Sequence, residues 1–321
     1  MIDNIDENKL YRIIKTIKDE ELGEVFLISY LCTKDENNLY IMKRLYINTD
    51  EEKYKILENL EKLKNVDYKY IIKLHDYFIE HIDDKEIICI IIDYYDNSNN
   101  LERIIYNTNI LNSRNIWRIF IQLILGLKSL DSNNIIIKDL YPQNIYLDSV
   151  NNIIIGGLGL ILQLTYKGIE DNKNKHENID DKESIILGKN EINKSSYYIS
   201  PEILKGEKYD NKSYIWSLGC ILYEIQYKKK LFEGKDFKEN ILSINYNLPE
   251  EEKDDYLKIL PKLLCEKERR LAINELIFNS IFKKKVIEVN IFTEIVKNDL
   301  KSKEINVNFC IIFNFTYKYR F

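Results

Sequence analysis

The sequence predicts an α+β chain in two lobes, a small one built on five strands with one helix and a larger, mainly helical one. Three observations predict it. Short runs rich in Ile, Tyr and Val recur up to residue 95. From residue 96 the apolar spacing lengthens to every third or fourth position. Apolar residues make up 45% of the chain, enough to bury a core in both parts.

Tyr11–Ile17, Val25–Tyr30, Leu39–Tyr46, Leu74–Glu80 and Glu86–Asp93 read as strands. Between the third and fourth, the charged stretch Asp50–Asn65 carries Ile56, Leu60 and Leu63 at helical spacing. In the second part, Ser113–Leu130 places Ile116, Ile119, Leu123, Leu127 and Leu130 on one helical face, with Ser113 as the expected N-cap. Asn144–Leu147 and Ile153–Ile155 read as short strands joined by the turn Asp148–Asn152. Lys167–Glu191 has no apolar period and is expected to be a loop. Tyr214–Gln226 reads as a buried helix, and further helices run to about residue 285. The expected divisions are 1–95, 96–285 and an extension of unknown structure, 286–321. The aromatic end, Asn306–Phe321, is open between an added strand, docking on the helical lobe and a misread gene model.

The net charge of −5, from 47 basic and 52 acidic residues, argues against a nucleic-acid footprint on the scale of the whole chain. Cys32, Cys89, Cys220, Cys265 and Cys310 are widely spaced and read as reduced thiols, not as a disulfide framework or a zinc site. The start, MIDNIDENK, has no apolar signal region. Ile87–Ile92 and Ile153–Leu162 fall short of the ~20 residues that cross a bilayer. These features predict a cytoplasmic, or nuclear, chain without a membrane span.

The segment with the most chemistry is Asn134–Leu147, which sets Asp139 and Asn144 five residues apart between a helix and a hairpin. A carboxylate there suits acceptance of a hydroxyl proton, and an amide oxygen suits a metal ion. Tyr40-Ile-Met-Lys43, Ser200-Pro-Glu202, Trp216-Ser-Leu-Gly219 and Arg270 stand before and after it in order. With these landmarks the chain resembles protein kinases. Within them it is similar to the NIMA-related (Nek) Ser/Thr kinase family, through Gln143–Leu147, Tyr197–Glu202 and Tyr209–Glu224. The resemblance covers roughly residues 9–285.

The resemblance implies a bilobal kinase fold whose small lobe is a five-stranded antiparallel sheet. It assigns Asp139 as the catalytic base, here expected to be vestigial or weak, and Lys43, Gly23, Val25, Ile41, Asp93, Tyr95, Asn144 and Tyr146 to the nucleotide, and it pairs Arg270 with Glu202. Leu63, Leu74, Ile137 and Leu158 take the family's apolar spine positions.

Several positions depart from the pattern. The metal-holding aspartate of D-F-G falls on Gly157, which has no ligand atom and leaves Asn144 as the only metal-side residue. Losing a metal that stabilises the transition state by several kcal/mol slows transfer on the order of 10²-fold or more. The phosphate-covering loop keeps only its third glycine, Gly23, and brings Glu20 and Glu21 towards a polyanion. Ile41 crowds the place usually held by alanine. The helix glutamate that would pair with Lys43 falls on Asn59, with Glu58 as the alternative register. Ile137 replaces the catalytic-loop histidine and Tyr214 the aspartate that braces that loop, so apolar packing is expected there. Lys138 replaces an arginine and lacks its fork. Ser195 and Ser196 are candidate phosphorylation sites.

The expectation is a pseudokinase: weak binding of ATP, weak or no binding of Mg²⁺, and a protein partner such as an active kinase or signalling protein. The alternative is an active divergent Ser/Thr kinase, with Asn144 and an acidic neighbour such as Glu191 or Asp148 holding one metal.

Overall fold

The computed structural model describes residues 11–20, 23–30, 39–47, 49–82, 85–96, 99–107, 111–137, 140–156, 194–249 and 255–289. They divide into two compact units. The first takes the described residues up to Asp67 with Ile72–Asp96; the second takes Tyr68–Ile71 and those from residue 97 onward.

The first unit is a sheet of β1 (Tyr11–Glu20), β2 (Gly23–Tyr30), β3 (Leu39–Tyr46), β4 (Leu74–Ile82) and β5 (Lys85–Asp93), with α1 (Asp50–Lys64) inserted after β3. The strand order is β1-β2-β3-β5-β4, and every pairing is antiparallel. β5 lies inside the sheet and is buried on both faces, which is why Ile87–Ile92 is apolar without alternation. Ile87, Cys89 and Ile91 join Tyr11, Phe26, Ile28, Tyr40 and Met42 in one cluster. Burial pushes the Cys89 thiol up to about 12.

α1 begins at Thr49, whose Oγ1 accepts the Glu52 N–H at 3.2 Å. Asp50, Glu51 and Glu52 in its first turn, and Lys62 and Lys64 in its last, complement the helix dipole. Its apolar stripe, Ile56, Leu60 and Leu63, is buried.

One feature of the sheet had no sequence signal. Arg44 of β3, 8% exposed, bridges the two edge strands. Its Nη2 donates to Glu80 Oε2 at 2.8 Å and to the Tyr11 hydroxyl at 3.0 Å, while the guanidinium lies 5.1 Å over Phe26.

The second unit is built around two helices buried on nearly all sides, α3 (Ser113–Ser132) and α5 (Asn211–Tyr227). Around them stand α2 (Leu101–Asn107), α4 (Pro201–Leu204), α6 (Phe237–Leu242), α7 (Tyr256–Leu263), α8 (Ile273–Phe278) and α9 (Ser280–Glu288), with the hairpin β6 (Ile145–Leu147) and β7 (Ile153–Ile155). Trp117 stacks on Tyr256 at 4.5 Å and Trp216 on Phe232 at 5.6 Å. Gly126 lets α3 approach β7: a Cβ there would meet Ile155 Cδ1 at 2.8 Å.

Two local expectations change. The N-cap of α3 is Asn112, not Ser113: Asn112 has extended backbone angles and its side chain accepts the Asn115 N–H at 2.9 Å. Asn144 belongs to a 3-10 turn with Pro142 and Gln143, and the strand starts at Ile145. In addition, the segment Tyr68–Ile71, inside the expected first lobe, packs with the second unit. Ile155 N–H donates to Tyr70 O at 2.8 Å, and Ile71 bridges to Ile155.

Candidate functional site

The first unit carries Lys43 on β3, opposite Val25 of β2 and Ile90 of β5, with 7% of its surface exposed. Ile41, half-buried, pairs with Leu27 and Ile92 two residues earlier on the same strand face. Gly23 opens β2, where it pairs with Glu20. Asp93 closes β5 opposite Tyr40. Tyr95 follows two residues on, half-buried.

A register shift between Leu74 and Asp76 leaves His75 as a bulge. The bulge aims its ring at Asp93, with Nε2 and Oδ1 2.5 Å apart, and the edge of the Tyr40 ring closes over it at 4.7 Å. The Asp93 carboxylate is therefore engaged with His75. Nothing in the local sequence pattern signals this bulge.

The two candidates for the helix ion-pair position differ in environment. Glu58 is exposed and pairs with Lys62 at 2.8 Å along the helix, whereas Asn59 is half-buried beside Leu60.

The second unit holds Asn144 in the 3-10 turn, where its N–H donates to Tyr141 O at 3.0 Å. Its carbonyl accepts the Gly156 N–H at 2.8 Å across the mouth of the hairpin. Beside it, Gln143 Nε2 donates to Glu102 Oε2 of α2 at 2.6 Å. Tyr146 packs against Gly156: a Cβ there would fall 2.6 Å from Tyr146 Cε2. The phenol is partly buried, and burial raises its pKa. Asp139, Lys138, Gly157, Leu158, Glu20, Glu21 and Glu191 lie outside the described residues or their described side chains. Leu63, Leu74 and Ile137 are buried.

Asp148 cannot join Asn144 at a metal ion. It lies at the closed end of the hairpin, beyond a three-residue strand about 10 Å long. Its oxygens already accept Val150 N–H at 2.9 Å, Asn152 N–H at 2.8 Å and Asn152 Nδ2 at 3.0 Å. Asn151 at φ 61° completes that turn, and Gln122 and Arg118 of α3 hold Asn152. A Mg²⁺ ion, which the resemblance implies, needs oxygen donors led by carboxylates. Among the described residues, no group of three His, Cys, Asp or Glu side chains that could hold a metal is found.

Arg270 and Glu202 form the most complete polar centre of this unit. Arg270 Nη1 and Nη2 donate to the two Glu202 oxygens at 2.6 and 3.0 Å, in the fork-to-fork arrangement. Further donations go to Lys212 O at 2.8 Å and Cys265 O at 2.9 Å, and Ser213 Oγ caps Glu202 Oε1 at 3.2 Å. The guanidinium lies 5.2 Å over Trp216. Burial pushes the Glu202 carboxyl up, but the Arg270 hydrogen bonds and charge outweigh it and hold the group below its ordinary value.

Two expectations are corrected in this unit. Tyr214 does not replace its anchor by apolar packing alone: the ring is 1% exposed, and its hydroxyl contacts Asp131 of α3 at 3.3 Å. A buried phenol retains a polar partner wherever one is in reach. Ser196 is 1% exposed, so it offers no accessible hydroxyl, whereas Ser195 is half-buried.

A second buried carboxylate, Glu224 of α5, was not foreseen. It is 0% exposed, and its oxygens accept the hydroxyls of Tyr106 at 2.7 Å and of Tyr198.

The family model described as protein kinase domain matches residues 12–282. Serine/threonine-protein kinase Nek6 of Oryza sativa subsp. japonica is 28% identical over 238 residues, 73% of this chain and 40% of that protein. Serine/threonine-protein kinase Nek11 of Homo sapiens is 28% identical over 240 residues, 73% of this chain and 34% of that protein. Serine/threonine-protein kinase CLA4 of Candida albicans is 27% identical over 225 residues, 70% of this chain and 21% of that protein. The chain thus spans well under half the length of these relatives, and Nek kinases stand among them beside another Ser/Thr kinase. With the family model covering most of its length and the sheet, hairpin and Arg270–Glu202 centre in place, the chain belongs to the protein kinase domain family.

Proposed function

We propose that the chain is a pseudokinase, a kinase-fold module that binds a protein partner and transfers phosphate poorly or not at all. The observation that carries this reading is the hairpin register. Asn144 pairs with Gly156, so the next residue, at the family's metal position, is Gly157, while the nearby acid Asp148 is committed to its own turn. ATP is expected to bind weakly, and Mg²⁺ to add little. The expected partner is an active kinase or another signalling protein. The expected setting is the cytoplasm or nucleus; among the described residues, no helix is long and apolar enough to cross a membrane.

A thermal-shift titration with ATP, with and without Mg²⁺ or Mn²⁺, tests the reading, because stabilisation grows with ligand concentration over Kd. A small shift that ignores the metal is expected. A large metal-dependent shift overturns it.

The second reading, an active divergent Ser/Thr kinase, is favoured by Lys43 on its strand, by Asn144 on its turn and by the names of the relatives. Substrate phosphorylation abolished by Asp139→Asn would establish that reading in place of the first.

A further inference from the structure

Helix α1 is fastened at both ends to the outer hairpin of the sheet. Near its start, Lys53 Nζ reaches Glu86 Oε2 of β5 at 2.6 Å. Near its end, the Tyr77 hydroxyl of β4 donates to Glu61 Oε1, and Lys64 Nζ lies 5.4 Å over the Tyr77 ring. The two fastenings match in length. Lys53 to Glu61 is eight residues of helix, about 12 Å. Tyr77 stands opposite Ile90, four residues beyond Glu86, about 13 Å along the strand. The helix therefore runs beside β5 in the same direction, and both contacts close without bending either element.

Glu58 pairs with Lys62 on the helix surface, and Glu61 is the acceptor for Tyr77. The Lys53 hydrogen bond holds the Glu86 carboxyl below its ordinary value, and His81, 3.4 Å away, acts in the same direction. Burial and the Glu61 bond push the Tyr77 phenol up to about 12, so the donor keeps its proton at any physiological pH.

We propose that Lys53 and Tyr77 act as a clamp that fixes α1 on the β4–β5 hairpin, so that the helix keeps its place with or without nucleotide. Both are positioning residues, and the clamp goes beyond the pseudokinase reading because it holds with or without ATP.

Hydrogen–deuterium exchange followed by mass spectrometry on the full chain tests the clamp. Lys53→Met with Tyr77→Phe is expected to speed exchange of the α1 amides about tenfold while the amides of β3 and β5 stay slow. Tyr77→Phe alone keeps the ring under Lys64 and is expected to give about fivefold, which covers the case where the double variant fails to fold. ATP with Mg²⁺ on the unaltered chain is expected to leave α1 exchange within about twofold.

Three results overturn the clamp: α1 exchange unchanged in Tyr77→Phe, exchange rising equally across the sheet, or ATP with Mg²⁺ protecting α1 by more than about twofold. The Tyr77→Phe arm does not depend on whether nucleotide binds, so failure of the clamp is separable from failure of the pseudokinase reading.

Discussion

Glu202 and Glu224 are both buried in the helical unit, at 4% and 0% exposure, yet they are held in opposite ways. Glu202 meets a cation on both oxygens and a serine hydroxyl besides. Glu224 meets two neutral phenols, one from α2 and one from the segment before α4. Each carboxylate has donors, so neither lacks hydrogen bonds. Only the first has its charge neutralised. Burial therefore dominates at Glu224 and raises its pKa against the help of Tyr198 and Tyr106, while Arg270 overcomes burial at Glu202. At Glu224 the two phenol hydrogen bonds satisfy the carboxylate without offsetting its burial, whereas at Glu202 hydrogen bonds and charge from Arg270 together do so.

The largest expected effect removes that charge. Arg270→Met should leave Glu202 buried without its cation, lowering stability by about 3–5 kcal/mol in urea unfolding. Arg270→Lys should recover only part, since a lysine cannot serve both oxygens and the two carbonyls at once. A loss under about 1 kcal/mol for Arg270→Met would mean that the pair does not anchor this unit.

At Glu224 the donors are weaker and their removal should matter less. Tyr198→Phe takes one donor from a fully buried carboxylate, and about 1.5–3 kcal/mol of destabilisation is expected. Tyr106→Phe should fall below that, because Tyr106 is 45% exposed and water can replace its hydroxyl. Equal effects of the two phenylalanine variants would show that burial does not separate the donors.

The same contrast explains what was legible in the sequence. Arg270 and Glu202 are 68 residues apart but each belongs to a spaced motif, so register alone brings them together. Tyr106 and Glu224 are 118 residues apart, and nothing distinguishes those tyrosines among the 24 in the chain. The strands and the hairpin were legible from short runs rich in Ile, Tyr and Val bounded by polar turns, and α1 from its helical spacing. The cap of α3 was off by one residue because Asn112 and Ser113 are both capping types, and only backbone angles choose between them. The His75 bulge, the Arg44 bridge and the fit of Tyr146 on Gly156 depend on which side chains meet across strands and turns, and a single sequence leaves no trace of that.

The smallest expected effect reads the difference in ionisation directly, through pH. The Glu224 pKa in the folded chain lies above the ordinary 4.5, so its contribution to stability is fully present below that pH and is lost as pH rises through the folded value. Glu202 lies below 4.5, so its contribution is present above that pH and is lost as pH falls through its own folded value. Glu224→Gln keeps an acceptor for one tyrosine, offers a donor to the other and cannot ionise. The stability difference from the unaltered chain should therefore be near zero below pH 4.5 and climb in favour of the variant as pH rises towards neutrality. Urea unfolding of both chains across that range gives the difference curve. Among the described residues, Lys230 favours ionisation here through its field. A flat or falling curve would mean that its field, with the two phenols, outweighs burial, and that Glu224 is held as Glu202 is.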